Sequence, residues 1–439
     1  MDGASEYRDA WRGLRIRVPA GWQVRRSGAG LFLHDQAGRQ TVLVQPRPGA
    51  GDTEQLALDL QAWLRRLDPR ARLEPGPAAP QGARFCTATL LAPSGEEAVG
   101  VFALQASAGA GLISGFVVPA VDYDAASALA VGALASLAAA PPEARLAWRE
   151  PGEGACTALV PAGWQAEGVV HRDRGAGLPA IEFRAWSGDG LLARASTGGK
   201  LFIEPGLLAG LLGGLSGGLV GRGRFVDAAA YAEGQLLPAL CREAPHARIE
   251  AVLPRPDLIP SGAAQEAAAS GVSVEEVLRG QPTAADVFFA LERHGRAERG
   301  MWRVLTMRVP EPLAHGLPLW MALVPYTYSG PTGSLPAWEP VLEGVCLSFQ
   351  VDGQWMERQM AQLAMQAGRA GAEPSSGTDA SLLEEAESLW GALRGRALAA
   401  HERPFVAQPR PTEASATLAA LYEAGVWRQA LEPIRKTVE

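Results

Sequence analysis

The sequence predicts an α+β protein that contains two copies of an antiparallel sheet flanked by helices, an α/β/α sandwich, followed by a C-terminal helical tail. The first observation is the hexapeptide Val-Pro-Ala-Gly-Trp-Gln, which occurs at residues 18–23 and again at 160–165. The second is a pair of related closing segments, Gly-Ala-Leu-Ala-Ser-Leu at 132–137 and Gly-Val-Cys-Leu-Ser-Phe at 344–349. Since strands and helices are predicted in the same order between each opening and closing segment, the pattern indicates a duplication.

Composition limits the classes of protein to which the chain can belong. Its 439 residues, 47% of them hydrophobic, predict two to three globular domains. The net charge of −7 provides no basic excess for phosphates, which argues against a nucleic-acid partner. Only Lys200 and Lys436 among the 40 basic residues are lysine, and asparagine does not occur. Both biases are typical of a GC-rich genome and say little about function.

The hexapeptide predicts a strand, a tight turn and a second strand. Alternating apolar and charged residues at 14–18 indicate a half-buried strand before the first copy. Pro19 and Pro161 suit position i+1 of a type I turn, and Gly21 and Gly163 suit position i+3. In each copy a tryptophan follows, which begins the next strand and anchors the corner. We therefore interpret the repeat as structural.

The first copy has three predicted strands, a helix, three more strands and a closing helix. The strands are predicted at 14–18, 31–34, 41–45, 84–91, 98–105 and 111–118. The first helix is predicted from Thr53, as its cap, to Leu67, because its apolar residues form one stripe. The closing helix is predicted at 123–138, with Asp122 or Asp124 as its cap.

The second copy repeats this order and is about 70 residues longer between its anchors. Its strands are predicted at 157–160, 168–172, 180–186, 247–253, 286–294, 301–309 and 318–326. Helices are predicted at 227–243 and 336–349. Short turns between most strands favour antiparallel sheets with helices on their faces.

On these residues the chain resembles the PsbP-like α/β/α sandwich family, since an apolar strand, Pro-x-Gly-Trp and an antiparallel sheet with a central and a C-terminal helix occur twice. The resemblance covers residues 11–140 and 145–350. It implies a non-enzymatic accessory or binding protein, and the family offers no catalytic residues to transfer. The lipoprotein members have a signal sequence and a lipobox, which are not found here, so no envelope location is implied.

Two insertions, near 188–225 and 256–283, account for the extra length of the second copy. The first contains the glycine-rich segment 206–223, for which three interpretations remain open: a surface loop, a packed or self-associating helix, or membrane contact. Its apolar run is shorter than the ~20 residues that span a bilayer. A phosphate loop at 196–200 is rejected because its spacing is wrong. In the second insertion, Ser273 and Glu276 predict a capping box and a short helix.

Residues that could carry chemistry are sparse. The six histidines form no metal-binding spacing, and the four widely separated cysteines predict small buried apolar side chains. His34 beside Asp35, and His171 beside Arg172 and Asp173, occupy similar predicted places on the strand after each Trp turn. A His-Asp pair is able to act as acid and base, but a shared polar strand end explains the recurrence more simply. We expect no catalytic, cofactor-binding or metal-binding residues.

Beyond residue 350 the pattern predicts helices near 354–368, 381–397 and 412–431, separated by linkers. Their apolar stripes pack back on the domains or dock onto a partner. The first six residues lack a secretory pattern, and with the cysteine usage this predicts a cytoplasmic location. The leading hypothesis is a non-catalytic binding or assembly protein with a protein partner. The alternatives are a hydrolase-type enzyme with a site between the domains, using His34 or His171, and a self-associating or membrane-peripheral protein acting through 206–223.

Overall fold

A computed structural model describes two compact units, one with the described residues up to Glu143 and one that begins at Ala144. Each contains a large antiparallel sheet and a few helices, so the predicted α+β class is confirmed. The described residues are 4–370 except for 28–29, 49–51, 79–82, 92–94, 108–109, 140–142, 173–178, 206–219, 260–262, 264–272, 294 and 311–317. Most of the glycine-rich segment and the predicted helices at 381–397 and 412–431 therefore lie outside the described residues.

Within its described residues the first unit contains a seven-stranded sheet, a small three-stranded sheet and two α-helices. Its elements are β1 Ser5–Asp9, β2 Leu14–Val18, β3 Gln23–Ser27, β4 Gly30–His34, β5 Thr41–Pro48, α1 Thr53–Leu67, β6 Arg72–Ala78, β7 Arg84–Leu91, β8 Glu97–Ser107, β9 Ala110–Pro119, α2 Tyr123–Ala135 and β10 Ala138–Ala139. The large sheet has the order β3-β4-β5-β9-β8-β7-β6, and the small sheet has the order β1-β2-β10.

The second unit repeats this arrangement with additions. Its elements are β11 Arg145–Arg149, β12 Cys156–Pro161, β13 Gln165–His171, β14 Ala180–Trp186, β15 Leu192–Ser196, β16 Gly199–Ile203, β17 Val220–Arg222, α3 (Ala228–Tyr231, a π turn at Ala232–Leu236, and Leu237–Glu243), β18 Arg248–Pro254, α4 Val274–Arg279, β19 Thr283–Arg293, β20 Arg296–Arg308, β21 Leu319–Pro331, α5 Leu335–Leu347, β22 Gln350–Val351 and α6 Gly353–Ala370. The large sheet follows β13-β14-β15-β21-β20-β19-β18, which matches the first sheet strand for strand, and β11-β12-β22 matches the small sheet. β16 joins β21, and β17 pairs parallel with β16, so three strands lie inside the predicted first insertion.

Each sheet begins at the corner formed by the hexapeptide. The amide N–H of Trp22 donates to the carbonyl of Pro19 at 3.1 Å, and Trp164 does the same to Pro161 at 3.1 Å. Gly21 and Gly163 have φ of +77° and +85°. The proline is thus the first residue of the turn and the glycine the third, so the predicted type I placement is wrong. A positive φ at the third position is typical of a type II turn and explains the glycine.

The closing segments are hydrogen-bonded to the strands that precede the corners. The hydroxyl of Ser136 accepts the amide N–H of Arg17 at 2.7 Å, and that of Ser348 accepts the amide N–H of Leu159 at 2.9 Å. Each serine also donates to a carbonyl in the last turn of its helix, Ala133 at 2.6 Å and Val345 at 2.7 Å. In both units the closing segment therefore binds the strand residue that immediately precedes the hexapeptide.

Helix caps differ from two predictions. The N-cap of α1 is Asp52, whose carboxylate accepts the amide N–H of Gln55 at 2.7 Å, so the predicted Thr53 cap is wrong. Asp122 precedes α2, but its carboxylate pairs with Arg39 at 2.7 Å and makes no capping bond. Asp122 is thus the N-cap residue of α2, as predicted, but its side chain does not cap the helix. The capping box of Ser273 and Glu276 at the start of α4 is confirmed.

Helices cover the sheet faces in both units. In the first unit α1 buries Leu56, Leu60 and Leu64 against one face of the sheet. Each fully buried leucine contributes about 1.5–3 kcal/mol relative to an exposed one, which fixes α1 on the sheet. In the second unit α3 packs over Phe202 and Trp320, whose rings stack with centroids 4.1 Å apart.

Candidate functional site

The histidine predicted as a base in the first unit, His34, lies at the end of β4. Its Nδ1 is 2.9 Å from the hydroxyl of Thr41, and its ring stacks on Phe32 with centroids 6.1 Å apart. The carboxylate of Asp35 instead accepts the amide N–H of Gln40 at 2.9 Å. Asp35 thus shapes the turn between β4 and β5, and its carboxylate is engaged there.

His171, the second predicted base, lies at the end of β13. Its Nε2 is 3.3 Å from the carboxylate of Glu182, and both side chains are about half exposed. The expectation that His34 and His171 occupy similar places is wrong, because β13 is the first strand of its sheet whereas His34 lies on the second strand of the other. The error arises because β3, with only one apolar residue, gives no alternating signal. Asp173 lies outside the described residues.

The remaining metal-binding or nucleophilic candidates are dispersed. Among the described residues no group of three or more His, Cys, Asp or Glu side chains is placed to hold a metal ion. Cys86, Cys156 and Cys346 are buried as predicted, while Cys241 is only partly buried. Burial raises the pKa of Cys156 to about 12, so its thiol stays protonated and unreactive at neutral pH. His294, His315 and His401 lie outside the described residues.

The densest group of charged side chains is buried between the sheet and α5 of the second unit. It consists of Arg255, Asp286, Arg303, Tyr326 and Glu343, each no more than 5% exposed. The side chain of Arg303 binds both carboxylate oxygens of Asp286, at 2.7 and 2.8 Å, and Arg255 binds the same carboxylate. The hydroxyl of Tyr326 donates to Glu343 at 3.1 Å. This buried charge cluster joins three strands, one helix and the segment before the second insertion.

The electrostatics of the buried charge cluster favour a charged Arg303 and a neutral Tyr326. Burial, and then the charge of Glu343, raises the pKa of Tyr326 well above its usual range. Burial alone would lower the pKa of Arg303, but Tyr326, Asp286 and Glu343 raise it. Perturbed pKa values often mark functional sites, yet structural ion-pair networks perturb them too. Since these side chains bond to one another away from solvent, we interpret the cluster as structural: it holds α5 on the sheet.

An open block of four side chains lies on neighbouring strands of the second sheet. Arg184 and Trp186 on β14 stand directly opposite Arg194 and Leu192 on β15. The two arginines are exposed, and Trp186 and Leu192 are partly exposed. The alternate residues of both strands, including Phe183 and Ala195, are buried on the other face. We call these four residues the open block.

Charge in the open block is only partly neutralised. The guanidinium of Arg184 binds the carboxylate of Glu167 at 2.6 and 3.1 Å and lies 5.5 Å from the ring centre of Trp186. In the described part of the chain Arg194 forms no ion pair. Two like charges directly opposite on adjacent strands are unfavourable, so an anionic group over Arg194 would relieve the repulsion.

The start of α6 is fixed to the second unit. Trp355 is 1% exposed and packs with Ile181 and Cys156. Its indole N–H donates to Glu153 at 2.8 Å, and Glu153 also binds the guanidinium of Arg172. In the part of the chain that the structure describes, no helix is both long and apolar enough to cross a membrane.

Comparisons with known proteins leave the family unassigned. No protein-family model and no curated protein sequence matches the chain. A solution structure of cyanobacterial PsbP from Synechocystis is 11% identical with a TM-score of 0.24, covering 32% of this chain and 94% of that chain. A crystal structure from Bacteroides thetaiotaomicron is 10% identical with a TM-score of 0.22, covering 68% and 89%. A structure of the Tle4-Tli4 complex is 10% identical with a TM-score of 0.18, covering 75% and 97%. Similarities at this level carry no argument about function.

Sequence reasoning did not find the open block or the buried charge cluster. Arg184 and Trp186 lie on a correctly predicted strand, but Leu192 and Arg194 lie on β15, which fell inside a predicted insertion. Asp286 and Arg303 also lie on predicted strands. The sequence signal for the buried charge cluster was the presence of charged residues in strands rich in apolar residues. Such side chains need a buried partner when they face the core.

Proposed function

We propose that this protein is a non-catalytic binding protein built from two PsbP-like domains, residues 11–140 and 145–350. The matching strand orders, the matching corners and the two serine hydrogen bonds support a duplicated scaffold. The open block carries the functional part of the proposal. It places two arginines beside a tryptophan and a leucine, and tryptophan and arginine are enriched among the residues that dominate binding energy at protein interfaces.

The chemistry of the open block specifies the partner surface. A carboxylate above Arg194 would neutralise the cross-strand arginine pair, while an apolar side chain would cover Trp186 and Leu192. Glu167 holds Arg184 in place, so less side-chain conformational entropy is lost when a partner binds. The proposed partner is therefore a protein with an acidic group next to an apolar one.

The test is affinity capture from cells that encode the protein, followed by binding measurements with the purified partner. The full chain is compared with Arg194→Glu and with Arg248→Glu, which reverses another exposed strand arginine of the same unit. We expect Arg194→Glu to weaken binding by roughly tenfold or more, because the acidic partner is repelled, and Arg248→Glu to bind normally. Circular dichroism checks that both variants are folded.

Two outcomes would contradict the proposal. One is a partner retained equally by Arg194→Glu and Arg248→Glu, and the other is no partner that binds the purified chain. A third arm uses a chain ending at Ala370, which keeps α6 and its contact with the second unit. Loss of the partner from that chain alone would place docking in the C-terminal tail.

A further inference from the structure

The strand β13 is an open edge of the second sheet. It pairs with β14 over seven consecutive residues, from Gln165 opposite Trp186 to His171 opposite Ala180, without a register shift. Within the described residues no strand lies on its other side. Val169, one residue beyond its centre, is 39% exposed. An edge of this kind presents unpaired backbone groups that another strand is able to bind.

Five other edge strands of the described sheets carry features that discourage such pairing. The edge strand β3 has adjacent arginines at 25 and 26. Strand β6 contains prolines at 75 and 77 and a register shift, and β18 contains Pro254 and a register shift. In the small sheets, β1 and β11 carry exposed arginines. Charges, prolines and bulges are the usual protection of a sheet edge.

Strand β13 contains no proline, arginine or lysine and no bulge, and its sequence is self-complementary. Glu167, Val169 and His171 alternate along the strand and so share one face. If two copies pair antiparallel about Val169, Glu167 stands opposite His171 of the partner subunit, and the two-fold axis forms this pair twice. Val169 then stands opposite its own symmetry mate. In this register each glutamate faces a histidine and the two valines face each other, so the strand is complementary to a second copy of itself.

We propose that two copies of this chain associate through β13, antiparallel and centred on Val169, to form one continuous sheet. The existing ion pairs extend across the new boundary. Glu167 is bound to Arg184 and His171 to Glu182 within each copy, so a contact between Glu167 and the partner's His171 would link these two pairs across the boundary. This interface lies on β13, beside the open block on β14 and β15, and the ion pair between Glu167 and Arg184 joins the two.

A disulfide cross-link tests the register. Under mild oxidation we expect Val169→Cys to give a covalent dimer, because directly opposite residues of an antiparallel pair lie about 4.5–5.5 Å apart at Cα, within disulfide range. Gln165→Cys is the matched control, since this residue is exposed on the same strand but lies far from its own symmetry mate in this register. We expect no covalent dimer from Gln165→Cys.

Sedimentation over a range of concentrations tests the interface itself. The unmodified chain and Val169→Thr are expected to dimerise, whereas Val169→Lys, which protects the edge with a charge, is expected to raise the dimer dissociation constant at least about tenfold. A monomeric unmodified chain, a dimer unaffected by Val169→Lys, or a dimer that Val169→Cys fails to cross-link would each overturn the proposal. None of these outcomes depends on the partner of the open block.

Discussion

The corner that opens each sheet depends on one glycine. Gly21 and Gly163 have φ of +77° and +85°, a region that other residues enter at a steric cost. Space is available at both positions: a Cβ on Gly163 would have no heavy atom within 4 Å, and one on Gly21 would meet only the side chain of Gln36 at 3.7 Å. The glycine is therefore required by backbone conformation alone, which explains its place in the repeated hexapeptide.

The positive φ of Gly21, in a place with room for a side chain, gives a prediction for the first unit. Gly21→Ala is expected to lower the free energy of unfolding by about 1 kcal/mol, since alanine is strained at positive φ. Gly132→Ala is the matched control, because Gly132 lies in α2 with open space around it. It is expected to raise the free energy of unfolding by up to about 1 kcal/mol through helix propensity. Urea unfolding measures both, and equal effects of the two substitutions would contradict this account.

The serines of the two closing segments connect the end of a helix to a strand that is distant in the sequence. Ser136 and Ser348 each follow a helix, and each accepts an amide hydrogen from the strand before the corner. Each hydroxyl therefore connects the end of a helix to the strand before the corner. Sequence comparison identified both ends of this contact, but not the contact, because the two ends lie more than one hundred residues apart.

At the scale of elements, α6 is attached to the second unit by a carboxylate that responds to acid. The hydrogen bond from Arg172, with a smaller contribution from Trp355 against the opposing effect of burial, lowers the pKa of Glu153 from 4.5 to about 2. A lowered pKa in the folded state stabilises the protein above the unfolded value. The contribution should therefore be full above about pH 4.5 and disappear as the pH falls toward 2.

We predict that Glu153→Gln lowers the free energy of unfolding at neutral pH by a few tenths to about 1 kcal/mol, a small value because the pair is more than one third exposed. The difference from the unmodified chain should shrink between about pH 4.5 and pH 2. Arg172→Gln should reproduce the loss at neutral pH, because it removes the other partner. Urea unfolding at several pH values measures this, and a difference that persists near pH 2 would show that Glu153 acts otherwise.

Elements with strong apolar periodicity were predictable, and weakly apolar edges were not. The helix 53–67 and the strands 84–91 and 180–186 have the predicted bounds. Strands β1, β11 and β15 were missed, and β3 was predicted only from the turn before it, because charged, polar or small residues occupy most of their positions and tertiary pairing makes them strands. The open block depends on the pairing of β14 with β15, so it could not be predicted once β15 was missed.

At the scale of the whole chain, the two units are built on separate cores. The first unit packs β2, α1 and α2 around its own sheet, in two apolar clusters. The second has an aromatic cluster beneath α3, an apolar cluster around Trp355, and the buried charge cluster beneath α5. The two units differ in what one helix covers. In the first unit α2 covers an apolar surface, whereas in the second unit α5 covers the buried charge cluster.

Among the described residues the division between the units falls between Glu143 and Ala144, and this gives the last prediction. The amide N–H of Glu143 donates to Ala10 in the first unit, and the carbonyl of Ala144 accepts from Ala162 in the second. Because each neighbouring residue is bonded within its own unit, fragments 1–143 and 144–439 are each expected to fold. Urea unfolding followed by circular dichroism should show one cooperative transition for each fragment. A fragment that binds hydrophobic dyes and unfolds gradually would show that its core needs the other half of the chain.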